Sequence, residues 1–153
     1  MSRRDSIRMS DGEVRDFLSE ARTVILTSIG RDGFPHPMPM WFAIDDGGAV
    51  LMTTFTKSQK IRNLKRDPRI SLLVEAGEVY SELRGVVMSG MAELIADTEG
   101  VVDILAAVSA RSGAPTSDAV RAGMRGTAEK RTGIRVQPAK TVSWDHRKLG
   151  GVY

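Results

Sequence analysis

The chain has 153 residues, 41% of them hydrophobic, with 22 lysines and arginines against 19 aspartates and glutamates. That length fits one domain with a real core. The absence of cysteine excludes disulfides, thiolate zinc sites and cysteine nucleophiles. No apolar run reaches the roughly 20 residues of a membrane span, and "MSRRDSIRMS" has no apolar stretch behind its charges. A cytoplasmic protein is therefore expected, with residues 1–9 as a flexible arm.

"SDGE" (10–13) is a capping box: the serine accepts from a first-turn N–H and the glutamate reaches back. Val14, Phe17, Leu18 and Ala21 then recur at helical spacing, which predicts a helix near 11–21. "TVILTSI" (23–29) reads as a strand and "GRDG" (30–33) as a turn. "FPHPMPMWFAI" (34–44) must be extended, because its three prolines cannot lie inside a helix. "DDGG" (45–48) signals a hairpin, with "AVLMTTF" (49–55) returning. A basic helix over 57–66, with Ile61 and Leu64 inward, ends at "DP" (67–68). "RISLLVEA" (69–76) is a strand, 77–84 a loop or strand extension, and "GVVMSGMAELI" (85–95) a long strand with Gly90 as a bend or bulge. Val101, Ile104, Leu105 and Val108 predict a helix over 97–111. "SGAP" breaks it, and Thr116 or Ser117 caps a second helix to about 130. A last strand, 133–145, closes the chain. Short-turn strands with one helix pair inserted at 97–131 before the last of them suggest a small antiparallel barrel in a single domain.

Three places could carry chemistry. In "TTFTKSQKIRNLKRDP" (53–68), Lys57, Lys60, Arg62, Lys65 and Arg66 precede any acid. Free N–H groups at that helix start, with Thr54, Thr56 and Ser58 nearby, suit a phosphate. The competing explanations are a solvated basic face or a nucleic-acid patch, and the scarcity of interleaved aromatics argues against nucleic acid. In the second place, Pro35, Pro37 and Pro39 turn to one side a row of carbonyls without N–H donors, as on an edge strand or a strand facing a ligand. Met38, Met40 and Phe42 share one face there and Trp41 the other. The third is "VSWDHRKLGGVY" (142–153), where Trp144 would plug a barrel end. His36 and His146 have no partner at metal-ligand spacing, so no metal centre is expected.

The order of "TSIGRDGFPHPMPMWFAID", hairpin, "LMTTFTKSQKIRNLKRDPRISLLV" and "GVVMSGMAEL" resembles the split β-barrel flavin-binding proteins related to pyridoxamine 5′-phosphate oxidase. Residues 11–95 and "TVSWDHRK" carry the resemblance. Ser58 and Lys60 fall where the oxidases hold a serine–arginine–lysine phosphate clamp, with Gln59 in the arginine's place. The closer likeness is to the flavin/deazaflavin oxidoreductases, B group, many of which use coenzyme F420. The resemblance implies a mainly β fold with helices, a six-stranded antiparallel split barrel forming a homodimer. It implies a cofactor groove at the dimer interface, the ring lying against Met38, Pro39, Met40 and Trp41 and against Met52, Thr53 and Thr54. The phosphate would lie near Lys57, Ser58 and Lys60, and Trp144 would stack near the ring.

The expected function is hydride transfer from reduced F420 to a conjugated or electron-poor double bond of a small molecule. No catalytic residue is assigned; Arg147 and Tyr80 are candidates to polarise a substrate. The alternatives are an FMN-dependent oxidoreductase, or a flavin, deazaflavin or haem carrier without turnover, with His36 or His146 as the haem ligand. The pyridoxal-phosphate residues of true oxidases are not recognisable, and neither a membrane nor a nucleic acid is an expected partner.

Overall fold

A computed structural model describes residues 3–150. A short helix, α1 (Arg3–Ser6), precedes α2 (Asp11–Glu20). The capping box forms: Ser10 N donates to Glu13 Oε2 at 2.6 Å and Glu13 N to Ser10 Oγ at 3.3 Å. The stretch read as a flexible arm is docked from Ile7 onward, since Ile7 O accepts from Asp145 N at 2.7 Å and Met9 is buried. Residues 1 and 2 lie outside the described part.

Strands β1 (Thr23–Ile29), β2 (Pro35–Trp41), β3 (Ala43–Ile44), β4 (Val50–Phe55), β5 (Arg69–Ala76) and β6 (Arg84–Ile95) follow, with α3 (Gln59–Arg66) between β4 and β5. A 3₁₀ turn, Tyr80–Glu82, fills the loop before β6. The insert is α4 (Thr98–Ala110) and α5 (Asp118–Ala128), the latter capped by Ser117. Strands β7 (Arg131–Val136) and β8 (Lys140–Asp145) end the fold.

All pairings are antiparallel, in the order β2-β1-β5-β6-β7-β4-β3, with β8 also on β6. β6 is the shared strand. Its 84–91 stretch pairs β5, its 84–89 stretch pairs β8, and 92–95 pairs β7. β2, at one end of the path, touches β4, next to the other end, so the sheet curls into a half-barrel. The split-barrel class is as expected, but the sheet has eight strands rather than six. The stretch 133–145 is not one strand: Pro138 cannot donate to a ladder, and the chain there crosses to a new register on β6. The crossing passes over Gly90, where a Cβ would come within 2.8 Å of Gln137 O, and Ala139 N donates to Ser89 O. Gly90 is thus needed for close approach.

The core lies inside the curl and includes Val24, Leu26, Met52, Ile61, Leu72 and Ile134. α4 lies on β4 and β7, so close that a Cβ on Gly133 would meet Ile104 Cδ1 at 2.6 Å. α4 and α5 share a small core of Val101, Val102 and Ala128. The pairs Arg121–Asp103 and Arg125–Glu99 join them on the outside.

Candidate functional site: an uncompensated cation beside a curled sheet

The basic helix sorts its charges sharply. Its inward face carries Lys60, Ile61, Asn63 and Leu64, an arc that the helical period allows because 60, 61 and 64 are neighbours on the wheel. Lys57, Arg62 and Lys65 face solvent. Arg66 folds back to donate to Ile29 O at 2.6 Å. Only Lys60 combines burial with a position in the first turn. It is 9% exposed, and its Nζ donates to Thr54 Oγ1 at 3.0 Å. No carboxylate among the described residues pairs with it, and burial pushes its pKa down.

Beside it, Ser58 is the N-cap residue of α3, yet its side chain makes no capping bond. Its Oγ is buried without a partner. An N-cap hydroxyl ordinarily satisfies a first-turn N–H, so this end of α3 retains unused donors. Thr56 Oγ1 and Thr132 Oγ1, 3.0 Å apart, add hydroxyls at the same end of β4 and β7. A buried ammonium, an orphaned hydroxyl and a helix N-terminus together fit an anionic oxygen group such as a phosphate. Gln59 does not join them: its Nε2 donates to Asn63 Oδ1 at 2.9 Å. Asn63, fully buried, donates on to Ser28 Oγ at 3.0 Å. This polar staple between α3 and β1 was not read from the sequence.

β2 is an edge strand paired with β1 alone, as the alternating prolines require. Its four candidate residues divide between faces. Met38 and Met40 lie opposite the core residues Leu26 and Val24, while Pro39 and Trp41 lie opposite Ile25 and Thr23. Met38 is partly open and Trp41 is 73% exposed. On β4, Met52 is fully buried, so it offers no side-chain surface. Thr54 points inward to Lys60, and Thr53 lies on the other face, half-buried.

Trp144 does not plug the barrel. It lies on β8 opposite Gly85, and a Cβ on Gly85 would overlap its ring. Across the outward face of this lobe runs an apolar row, Pro39–Ile25–Leu73–Val87–Val142. Trp41 and Trp144 stand two residues beyond its two ends, on the same face by the strand period. Four inter-strand steps of about 4.8 Å put them up to about 19 Å apart along the curled sheet.

In the tail, Asp145 is buried and grips Arg147 through Nε at 2.9 Å and NH2 at 2.6 Å. Those bonds hold the carboxyl below its ordinary pKa and raise that of Arg147. His146 Nδ1 lies 2.9 Å from Tyr80 O, and the two rings pack. His36 Nδ1 is buried without a partner. Arg147, Tyr80 and His146 thus form a local cluster apart from β2. No group of three metal-ligating side chains occurs among the described residues.

Arg111, at the end of α4, went unnoticed in the sequence, although a basic residue closing a helix is a known signal. Its guanidinium donates to the carbonyls of Leu18, Ser19, Ala21 and Phe42 and stacks on the Phe42 ring at 4.4 Å. It fastens the insert to the end of α2 and to the segment that follows β2.

A family model described as pyridoxamine 5′-phosphate oxidase matches residues 10–145. The crystal structure of the conserved hypothetical protein Rv2991 from Mycobacterium tuberculosis is similar, with 40% identity and a TM-score of 0.90, over 100% of this chain and 95% of that one. An F420 reductase shares 24% identity and a TM-score of 0.64 over 83% of this chain and 94% of its own. The haem storage protein HutZ from Vibrio cholerae shares 18% identity and a TM-score of 0.67 over 87% and 94%. The last two likenesses establish a common fold. No curated protein matches the chain. The matched span covers most of the curled sheet, the basic helix and the insert, and the chain belongs to the pyridoxamine 5′-phosphate oxidase family.

Proposed function

We propose that this protein is an oxidoreductase that binds coenzyme F420 and reduces a conjugated double bond in a small molecule. The observation that carries it is Lys60, a buried cation without a counter-charge, beside the orphaned hydroxyl of Ser58 at the start of α3. Lys60 Nζ, Ser58 Oγ and the first-turn N–H groups would hold the cofactor's phosphate, with Lys57 free to approach from solvent. The charge count favours the deazaflavin over FMN. A phosphomonoester carries about −1.5 to −2 at neutral pH, whereas a diester carries one charge, which a single buried lysine matches. Gln59, turned toward Asn63, does not supply the cation that the oxidases carry at that position.

Met38, Met40 and the main chain of β2 and β4 would flank the ring. When bound, the reduced cofactor supplies a hydride; the acceptor takes it at one end of the double bond and a solvent proton at the other, a two-electron reduction balanced by cofactor oxidation. The protein's part is to fix the ring and exclude water from it.

A homodimer goes with this proposal. Trp41 and Trp144 of one chain stand four strands apart, up to about 19 Å along the curled sheet. Two copies joined through the apolar outward row would bring Trp144 of one toward β2 of the other. Val142, Met91 and Trp41 are exposed on the single chain, as interface residues are.

The test is a titration of the apo-protein with FMN and, separately, with F420, followed by fluorescence, on wild type and on Ser58→Ala. Tighter binding of F420, weakened in the variant, is the expected result. Binding of neither cofactor would refute the assignment, and tighter binding of FMN would make the protein a flavoprotein instead.

A further inference from the structure

Two clefts meet at Arg111. The larger, about 1010 Å³, lies between α2, the β3–β4 hairpin, the β7–β8 crossing and α4. Its lining is mixed: Val14, Leu18, Ile44 and Met88 form the apolar part, beside Ser19, Gln137 and Thr141, and the small side chains of Ala43 and Ala107 keep it wide. The smaller, about 340 Å³, holds Trp41, Phe42 and Arg22. Ala43 and Ile44 follow β2 after the single residue Phe42, so the larger cleft begins where the proposed ring shelf ends.

At this junction Arg111 is bonded to carbonyls rather than to an acid. A guanidinium has five N–H groups, and the four carbonyls on Arg111 engage only NH1 and NH2. No carboxylate among the described residues pairs with Arg111, while burial and the neighbouring Arg22 both push its pKa down. Asp11, Arg15 and Asp46 line the same cleft, and neither acid is bonded to Arg111. A half-buried cation crowded by a second cation and bonded to no acid, at the wall of a wide, partly apolar cleft, is the complement of a largely apolar body bearing an acid.

We propose that the larger cleft is the acceptor's site and that the acceptor is a bulky, mostly apolar, conjugated molecule whose acidic group faces Arg111. The proposal rests on the oxidoreductase assignment for its word "acceptor" and on the cleft alone for the ligand class. The cleft volume lies at the upper end of the roughly 300–1,000 Å³ typical of small-molecule sites, more room than a single ring needs. The apolar part of the lining supplies most of the affinity, and the guanidinium selects anions over neutral molecules of the same shape.

The test uses anilinonaphthalene sulfonate, an apolar conjugated anion, and its neutral counterpart N-phenylnaphthylamine, each titrated into the full-length apo-protein. The expected result is saturable binding of one sulfonate per chain, with the neutral probe weaker by about tenfold, the order of one charge-assisted contact. Ala107→Trp fills the cleft one helical turn before Arg111. It should weaken the sulfonate by about tenfold or more, as loss of an enclosed apolar contact does, with FMN and F420 affinities unchanged and thermal unfolding still cooperative. Equal binding of the two probes would overturn the charge assignment. Undiminished sulfonate binding by a folded Ala107→Trp, or its displacement by either cofactor, would overturn the site. If the probes behave as expected and neither cofactor binds, the ligand class stands and the oxidoreductase assignment falls.

Discussion

Lys60→Met keeps the length of the side chain and removes its charge. In the free protein the ammonium is 9% exposed and bonded only to Thr54 Oγ1 at 3.0 Å. Removing it forfeits one charge-assisted hydrogen bond, about 1.5–3 kcal/mol, and abolishes a desolvation penalty of several kcal/mol. The balance favours the variant by about 1 kcal/mol, or about 2–4 °C in Tm for a chain of this size. The pH dependence has a definite sign. The folded-state pKa of Lys60 is lowered by burial, so the unfolded chain binds the proton more tightly. Wild-type stability should therefore rise with pH from that lowered value up to about 10.4, and the variant should lack this rise. Binding should move the other way. Loss of a charged contact of about 1.5–3 kcal/mol weakens a phosphate-bearing cofactor by about tenfold to a hundredfold. Thermal unfolding of the apo-protein across pH, with cofactor titration of the same preparations, reads both effects. A folded variant that is less stable than wild type and binds cofactor equally well would refute the assignment of Lys60 to an anion.

Three further substitutions probe the frame around the site. Gly85→Val pushes a side chain into the Trp144 ring; it should cost about 1–3 kcal/mol, as overpacking does, and shift tryptophan fluorescence, and an unchanged Tm would show that the ring is not fixed there. Asp145→Asn removes the charge that grips Arg147 and should cost about 1–3 kcal/mol at neutral pH. Because Asp145's folded pKa is lowered, chiefly by the Arg147 bond, its contribution is present above the unfolded value of about 3.9 and fades as pH falls through the folded one. Wild type and variant should therefore converge in urea unfolding below about pH 4, and a constant difference would exclude the charge as its source. Val142→Lys places a charge in the outward apolar row. Wild type should sediment as a dimer and the variant as a folded monomer with weakened cofactor binding; a variant that stays dimeric would move the interface elsewhere.

Local order was legible where local chemistry decides it. "SDGE" and the apolar spacing behind it set α2, and alternation set β1 and β5. Prolines 35, 37 and 39 predicted an edge because a missing N–H is a fact of the residue, not of its surroundings. The missed features depend on partners distant in sequence. Whether 133–145 is one strand or two turns on which edge of β6 each half finds, and Pro138 alone could only hint at it. The strand period gives Trp144 a face, yet it cannot say that Gly85 lies beneath. Arg111 closes a helix like many surface arginines; its four carbonyl partners come from α2 and from Phe42, about 70 to 90 positions away. The helical wheel did contain the inward turn of Lys60, but a run of five cations drew notice to the sum of charge rather than to the one residue that is buried.

The two charge anomalies belong to one geometry. Lys60 and Arg111 are both partly or wholly buried cations with pKa values lowered by burial, and neither has a carboxylate partner among the described residues. They lie toward opposite ends of β4: Lys60 meets Thr54 near its last residue, while the cleft at Arg111 includes the hairpin glycines, Gly47 and Gly48, before its first. A strand of six residues spans about 17–20 Å. A cofactor anchored at Lys60 by its phosphate would extend along this strand toward the cleft, and an acidic acceptor anchored at Arg111 would extend back toward it. Keeping two uncompensated cations costs stability at both places, a cost that binding would offset at each end, so the two sites should fail independently. Lys60→Met should spare sulfonate binding, and Ala107→Trp should spare the cofactor. Loss of both ligands in either single variant would mean that the strand does not separate two sites.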